Sequence, residues 1–296
     1  MGNCEQCPRH CEIDRENGQI GFCGVPADFY IARASLHPWE EPFLSGKRGS
    51  GTIFFCGCNL QCVFCQNREI SRGRTGKEIS PEELADLMLR LRDAGAHNIN
   101  LVTPSHYAMQ LIPVLEQVKP KLGIPVVYNC GGYERVETLR HLEGLVDIYL
   151  PDFKYFSSEL AKKYSGAADY PGVATDALAE MLRQRPVPIF DGEGMLLGGV
   201  AVRHLVLPGA RADSIQLLQY LAERFGSKSF LLSLMSQYTP DFAMDCPYSA
   251  LRRRVTTFEY ESVLREAETL GFDGCIQGRS SASSSYTPDF YEKSFL

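Results

Sequence analysis

The sequence is short of three things: long apolar runs, basic residues in excess, and internal repeats. No apolar stretch approaches the ~18 residues that span a bilayer. The amino terminus, Met1-Gly2-Asn3-Cys4-Glu5-Gln6, lacks the apolar core of a secretion signal, and Gln6 stands where the myristoylation pattern wants Ser or Thr. A cytoplasmic protein with no membrane partner is expected. Thirty Lys and Arg against 36 Asp and Glu give a net charge of −6, so no global positive field gathers nucleic acid or anionic lipid. Small acidic substrates or a protein partner stay open, and a nucleic-acid partner is not expected. Eleven cysteines, an odd number in a chain without a signal, make a disulfide framework a poor explanation and metal binding a good one.

What is present is ordinary globular usage, 44% hydrophobic and 22% charged over 296 residues. That suits two domains or one barrel-sized domain and excludes a disordered chain or a coiled-coil rod. Eight of the eleven cysteines lie in the first 65 residues. Residues 1–50 are polar, Cys-rich and without helical period, and are expected to form a small irregular metal-binding module with short strands. From residue 51 apolar β-rich runs at 52–56, 98–102, 125–129, 146–150, 202–207 and 230–234 alternate with helix-period segments. The helix at 81–94 opens with Ser80 as N-cap, Pro81 and Glu83, and Gly95 follows it. Six strand-helix units predict an α/β fold, a partial (β/α)6 TIM-type barrel over 51–276, with a last helix at 259–270 and a Ser-rich tail over 277–296.

The sharpest signal follows the first barrel strand, where Cys58, Cys62 and Cys65 stand in the spacing Cys-x3-Cys-x2-Cys. Three thiolates on one loop can hold three irons of a cubane cluster and leave the fourth iron open. A zinc site would more naturally want four protein ligands. The C-terminal mouth of a barrel strand is also where barrel enzymes carry their chemistry. This pattern resembles the radical S-adenosylmethionine (radical SAM) superfamily. Within it, Cys58-Asn59-Leu60-Gln61-Cys62-Val63-Phe64-Cys65-Gln66-Asn67 is similar to the activating enzymes of glycyl-radical enzymes, typified by pyruvate formate-lyase activating enzyme. An incompletely characterised subgroup is closer still. Its segments here include Cys7-Pro8-Arg9, Glu40-Glu41-Pro42, Asn100-Leu101-Val102-Thr103-Pro104, Tyr149-Leu150-Pro151-Asp152-Phe153-Lys154 and Arg203-His204-Leu205.

The resemblance implies a 4Fe-4S cluster on Cys58, Cys62 and Cys65 and reductive cleavage of S-adenosylmethionine to a 5′-deoxyadenosyl radical that abstracts hydrogen. It also implies a set of cofactor-binding positions. Phe64 takes the place of the aromatic whose main chain meets the adenine, with packing under the loop as the alternative. Thr103, Pro104 and Ser105 stand where the family carries a Gly-Gly-Glu-like segment for the methionine ammonium, although Ser105 also suits a helix N-cap. Asn129 ends the third strand. Asp152 and Lys154, two residues apart, share a strand face beside the cofactor carboxylate or form a plain ion pair. Arg203 is expected to face the barrel interior, with His204 a structural residue pointing away. Gln237 stands where the activating enzymes often have histidine.

Cys4, Cys7, Cys11 and Cys23 form a second metal candidate, because a small module without a core needs a staple. Four thiolates accept either zinc or a second iron-sulfur cluster. Cys56 and Cys130 read as buried small hydrophobes. The implied partners are a glycyl-radical protein and a flavodoxin or ferredoxin electron donor. The donor would dock on the basic stretch of Arg68, Arg72, Arg74 and Lys77. Two other functions compete: the same radical core acting directly on a small molecule or peptide, and a zinc-cysteine interaction module on an inactive barrel.

Overall fold

A computed structural model describes residues 4–73 and 75–276. Its first strand, β1 (Phe29–His37), leads through the one-turn helix α1 (Pro42–Ser45) to β2 (Ser50–Phe55), α2 (Arg68–Ser71) and β3 (Lys77–Ile79). Strands and helices then alternate as α3 (Pro81–Asp93), β4 (Ile99–Val102), α4 (Ala108–Leu122), β5 (Val126–Cys130), α5 (Val136–His141) and β6 (Ile148–Pro151). Two helices, α6 (Ser158–Ser165) and α7 (Tyr170–Gln184), and the short β7 (Ile189–Phe190) precede β8 (Leu196–Leu205). The described chain closes with α8 (Arg211–Phe225), β9 (Leu231–Met235), α9 (Thr257–Thr269) and β10 (Asp273–Ile276).

The sheet order is β10-β9-β8-β6-β5-β4-β2-β1-β3, with β7 on β8. All pairings from β2 through β10 along this path are parallel, which makes the fold α/β with a partial barrel. The six expected strands are β2, β4, β5, β6, β8 and β9. A seventh parallel strand, β10, joins them; its four residues, Asp-Gly-Cys-Ile, carry no apolar run that would mark them in the sequence. Helix starts follow local chemistry. Ser80 with Glu83 and Thr256 with Glu259 each complete a capping box at the N-termini of α3 and α9. The Ser-rich tail over 277–296 lies outside the described residues.

Residues 1–50 are less separate than their composition suggests. β1 is a nine-residue strand, antiparallel to β2 from Ile31 opposite Phe55 to His37 opposite Ser50, and it carries β3 on its other side. A register shift between Ile31 and Arg33 breaks its alternation, so the strand period is not legible there. The next segment enters the barrel. Leu44 of α1, fully buried, packs with Val127 of β5, Ile148 and Leu150 of β6, Ala201 of β8 and Leu231 of β9. The intervening residues Tyr128, Tyr149, Val200 and Val202 belong instead to the layer shared with α5, α7 and α8, as the two-residue period of a strand requires. Polar contacts fix the plug. Asn98 Nδ2 donates to the Leu44 carbonyl at 2.8 Å, and Ser233 Oγ donates to Glu41 Oε1 at 3.0 Å. Leu44→Ala should therefore destabilise the fold by about 2–5 kcal/mol, since the barrel wall cannot collapse onto the void. Urea denaturation measures it, and a loss under 1 kcal/mol would remove the plug from the core.

Behind β5 lies a buried carboxyl. Glu134 accepts from the Ser105 hydroxyl and from Tyr128 Oη, the latter at 3.1 Å, and burial pushes its pKa up from 4.5 to about 7. A carboxyl raised in the folded state contributes stability that is full below its unfolded pKa and is lost as pH rises through the folded one. Stability should thus decline between about pH 4.5 and 7, and Glu134→Gln should flatten that decline. Urea midpoints measured across this range check it; an unchanged slope in the variant would show that Glu134 does not titrate there.

Candidate active site

The loop after β2 is held from several directions. The chain leaves β2 through Gly57 at φ +83°, where a Cβ would stand 2.7 Å from the Cys23 carbonyl oxygen, so only glycine fits. Cys58 N–H then donates to that same carbonyl at 3.2 Å, and Val63 N–H donates to the Tyr164 carbonyl at 2.9 Å. Gln61, itself at φ 52°, donates from Nε2 to the Phe22 carbonyl at 2.6 Å. Asn59 Nδ2 donates to the Tyr133 carbonyl at 2.7 Å. Arg9 spans the gap to α6, donating to the carbonyls of Asn59, Gly166 and Ser165 at 2.7, 2.7 and 2.9 Å.

This loop brings Cys58, Cys62 and Cys65 to the wall of a cavity of about 160 Å³ at the C-terminal ends of the parallel strands. Burial pushes the Cys58 thiol up to about 12, and the sulfurs of Cys62 and Cys65 add to it; Cys65 is raised by burial and by Cys62. Two thiols held back from ionisation, crowded with a third sulfur on one loop, suit a cationic centre. Among the described residues no three Cys, His, Asp or Glu side chains converge on a single-ion site. The donor set is all sulfur, the chemistry an iron-sulfur cluster requires.

The opposite wall is charged. Asp152, at the end of β6, accepts from Lys154 Nζ at 2.5 Å and from Arg203 Nε at 2.8 Å. Burial works to raise its pKa, yet the cations Arg203 and Lys154 outweigh it and hold the carboxyl below its usual value. Arg203 also donates to Asn129 Oδ1 at 2.6 Å and stands 3.7 Å from Glu40. His204 faces the other way, bridging the Phe153 carbonyl and the Ser214 hydroxyl at 2.7 and 2.8 Å.

The structure gathers most of the candidate residues around this one cavity: Phe64, Thr103, Asn129, Asp152, Lys154, Arg203 and Gln237 all border it together with the three cysteines. Phe64 packs against Tyr155, Tyr164 and Tyr238 with ring centroids 6.2–6.5 Å apart, so it is both wall and packing. Thr103 takes a left-handed φ of 59°, rare for a β-branched residue, and its N–H donates to the Asn129 carbonyl at 2.8 Å. Pro104 and Ser105 stand outside the cavity; the Ser105 hydroxyl is spent on Glu134. Sequence reasoning missed Glu40. A second cavity of about 80 Å³ shares Asn129, Arg203 and Gln237 with the first and is bordered by Glu40 and Glu41 from the plug. Burial and the neighbouring Glu41 raise Glu40 to about 7. The Glu-Glu-Pro segment was visible, but nothing in the sequence says that it enters the barrel.

The four amino-terminal cysteines are neighbours without closing on one point. Cys7 and Cys23 are raised chiefly by burial, with smaller contributions from Cys4 on both and from Cys11 on Cys23. Cys11 Sγ accepts the Phe22 N–H at 3.5 Å, and a Cβ on Gly21 would stand 2.9 Å from that sulfur. Of the basic stretch, Arg68, Arg72 and Lys77 are exposed, Arg68 lies 3.8 Å from Asp245, and Arg74 falls outside the described residues.

Comparison with known proteins agrees with this geometry. The family pattern of the Radical SAM superfamily matches residues 52–198. An uncharacterized protein of Methanocaldococcus jannaschii is 31% identical over 281 residues, covering 92% of this chain and 76% of that protein. The pyruvate formate-lyase-activating enzyme of Clostridium pasteurianum is 30% identical over 142 residues, 44% of this chain and 57% of its own length. Among solved structures, a radical SAM methyltransferase from Sphaerobacter thermophilus shares the fold with a TM-score of 0.50 and 16% identity, covering 79% of this chain and 69% of that one. With the cysteine loop at the strand mouth and the family pattern beginning in the strand that precedes it, the chain belongs to the radical SAM superfamily.

Proposed function

We propose that this radical SAM enzyme activates a glycyl-radical protein by removing hydrogen from a backbone glycine. The observation that carries the reading is the meeting of three cysteines with the Lys154-Asp152-Arg203 array across a single cavity. Similarity over 142 residues to an activating enzyme supports the choice of partner. Membership of the superfamily implies a 4Fe-4S cluster and S-adenosylmethionine, and Cys58, Cys62 and Cys65 are the residues that would hold the cluster. When bound, these groups supply one-electron cleavage of a carbon-sulfur bond and a 5′-deoxyadenosyl radical.

The chain's own residues bind, orient and shield. Asp152, Lys154, Arg203 and Asn129 present opposite charges and amide dipoles suited to an amino-acid zwitterion, with Thr103 and Gln237 beside them. Phe64, Leu60, Leu205 and Met235 give the cavity apolar walls that exclude water. Sheet edges β3 and β10 are not paired with each other among the described residues, and the proposed peptide would approach the strand mouths from that side. Reduction by an acidic flavodoxin or ferredoxin would use the exposed Arg68 and Arg72. The amino-terminal cysteines are assigned a structural metal, zinc or a second cluster. A second reading, direct action on a small polar substrate, draws on the Glu40 and Glu41 cavity that opens from the first.

Anaerobically reconstituted protein should cleave S-adenosylmethionine to 5′-deoxyadenosine when reduced, and Cys62→Ala should abolish this while the chain stays folded. Retained cleavage in that variant would refute the assignment of the cysteines. With a glycyl-radical enzyme carrying deuterated glycine, deuterium should enter 5′-deoxyadenosine and a glycyl signal should appear by electron paramagnetic resonance. Cleavage without either result would transfer the reading to the small-substrate alternative.

A further inference from the structure

We infer that Ser165, held by Tyr155, is a positioning residue that tunes the reduction potential of the cluster on Cys58, Cys62 and Cys65. The inference rests on the reading that these cysteines bind an iron-sulfur cluster. Ser165 closes α6, and its hydroxyl donates to Cys62 Sγ at 2.9 Å across 103 residues of sequence. Tyr155 Oη lies 2.7 Å from the same hydroxyl oxygen. A serine has one proton to give. With that proton directed at sulfur, the tyrosine must donate to Ser165 Oγ, and the two hydroxyls form a chain pointing toward Cys62.

Such a chain suits a sulfur that carries negative charge. A hydrogen bond to a ligating sulfur withdraws electron density and favours the reduced cluster, one of the main ways a protein sets cluster potential. Both hydroxyls are shielded from solvent, since Ser165 is 5% exposed and Tyr155 is fully buried. The contact also differs in kind from its counterpart at Cys58, whose sulfur accepts the Leu60 backbone N–H at 3.3 Å; that donor comes with the loop, whereas Ser165 is brought from a different element. Two further contacts keep it in place. Arg9 binds the Ser165 and Gly166 carbonyls at the end of α6, and Val63 N–H binds the Tyr164 carbonyl. Loop and helix end are therefore tied together, and the Ser165 hydroxyl is held against the sulfur it faces.

The test is a redox titration of the anaerobically reconstituted full-length protein, followed by electron paramagnetic resonance, with iron and sulfide content measured alongside. Ser165→Ala should move the cluster midpoint to more negative potential at unchanged iron and sulfide content. Tyr155→Phe should move it the same way by less. Ser157→Ala is the control for helix position, since Ser157 caps the opposite end of α6 through Glu159 and Leu160 N–H and makes no contact with Cys62; its midpoint should stay. An unmoved or more positive midpoint in Ser165→Ala, or an equal shift in Ser157→Ala, overturns the inference. If Ser165→Ala does not fold, an unmoved Tyr155→Phe midpoint does the same. Wild-type protein that takes up no iron and sulfide would instead refute the cluster reading on which the inference stands.

Discussion

A guanidinium largely withdrawn from water has to be answered by the protein, and the partners that Arg203 recruits come from three separate parts of the chain. Asp152 ends β6, Asn129 ends β5, and Glu40 precedes the plug helix. Removing one member of a buried ion pair costs roughly 3–5 kcal/mol because the remaining charge is left uncompensated. Arg203 thus ties strand ends to the segment inside the barrel, and the mouth can be polar without coming apart. An isolated parallel bridge between Asp152 and Arg203 continues the β6 and β8 pairing to the point where the side chains meet.

The same array sets the charge of the cavity. Lys154 and Arg203 share Asp152 between them, which leaves donor capacity on both cations for an incoming carboxylate. Glu40, raised toward neutrality by burial and by Glu41, stands 3.7 Å from Arg203. The mouth thus carries two cationic donors and a carboxylate acceptor side by side, a polarity that would suit the zwitterionic ligand of the proposed reading.

Much of this was legible in the sequence, and the parts that were not share a physical cause. The thiol spacing and the i, i+2 relation of Asp152 and Lys154 are local, so they survive translation into three dimensions; so does the opposite facing of Arg203 and His204. The six parallel strands announced themselves as apolar runs bounded by turn residues. By contrast, Glu40 and Leu44 gain meaning only by entering the barrel, a contact set by long-range packing that no period of 2 or 3.6 encodes. β1 was hidden by its bulge, and β10 by its brevity. Ser105 is expected in the site from the segment after the second barrel strand; its hydroxyl donates to Glu134, a carboxyl that the strand pattern does not reveal as its neighbour.

The amino-terminal segment shows why the cysteine loop cannot be understood from its own residues. Between Gly57 and Cys65 the chain adopts a left-handed conformation at Gln61 and has no regular structure, so by itself it would sample many shapes at an entropic cost of roughly 1–2 kcal/mol per residue to order. Order comes from outside: the Cys23 carbonyl accepts from Cys58, the Phe22 carbonyl from Gln61, and Arg9 reaches the Asn59 carbonyl while its guanidinium stacks 3.9 Å from the Phe22 ring centroid. Cys23 is itself one of the four amino-terminal cysteines. Whatever holds its backbone in place also holds the N–H of Cys58, so two sets of cysteines separated in composition and in sequence meet directly through a hydrogen bond of 3.2 Å.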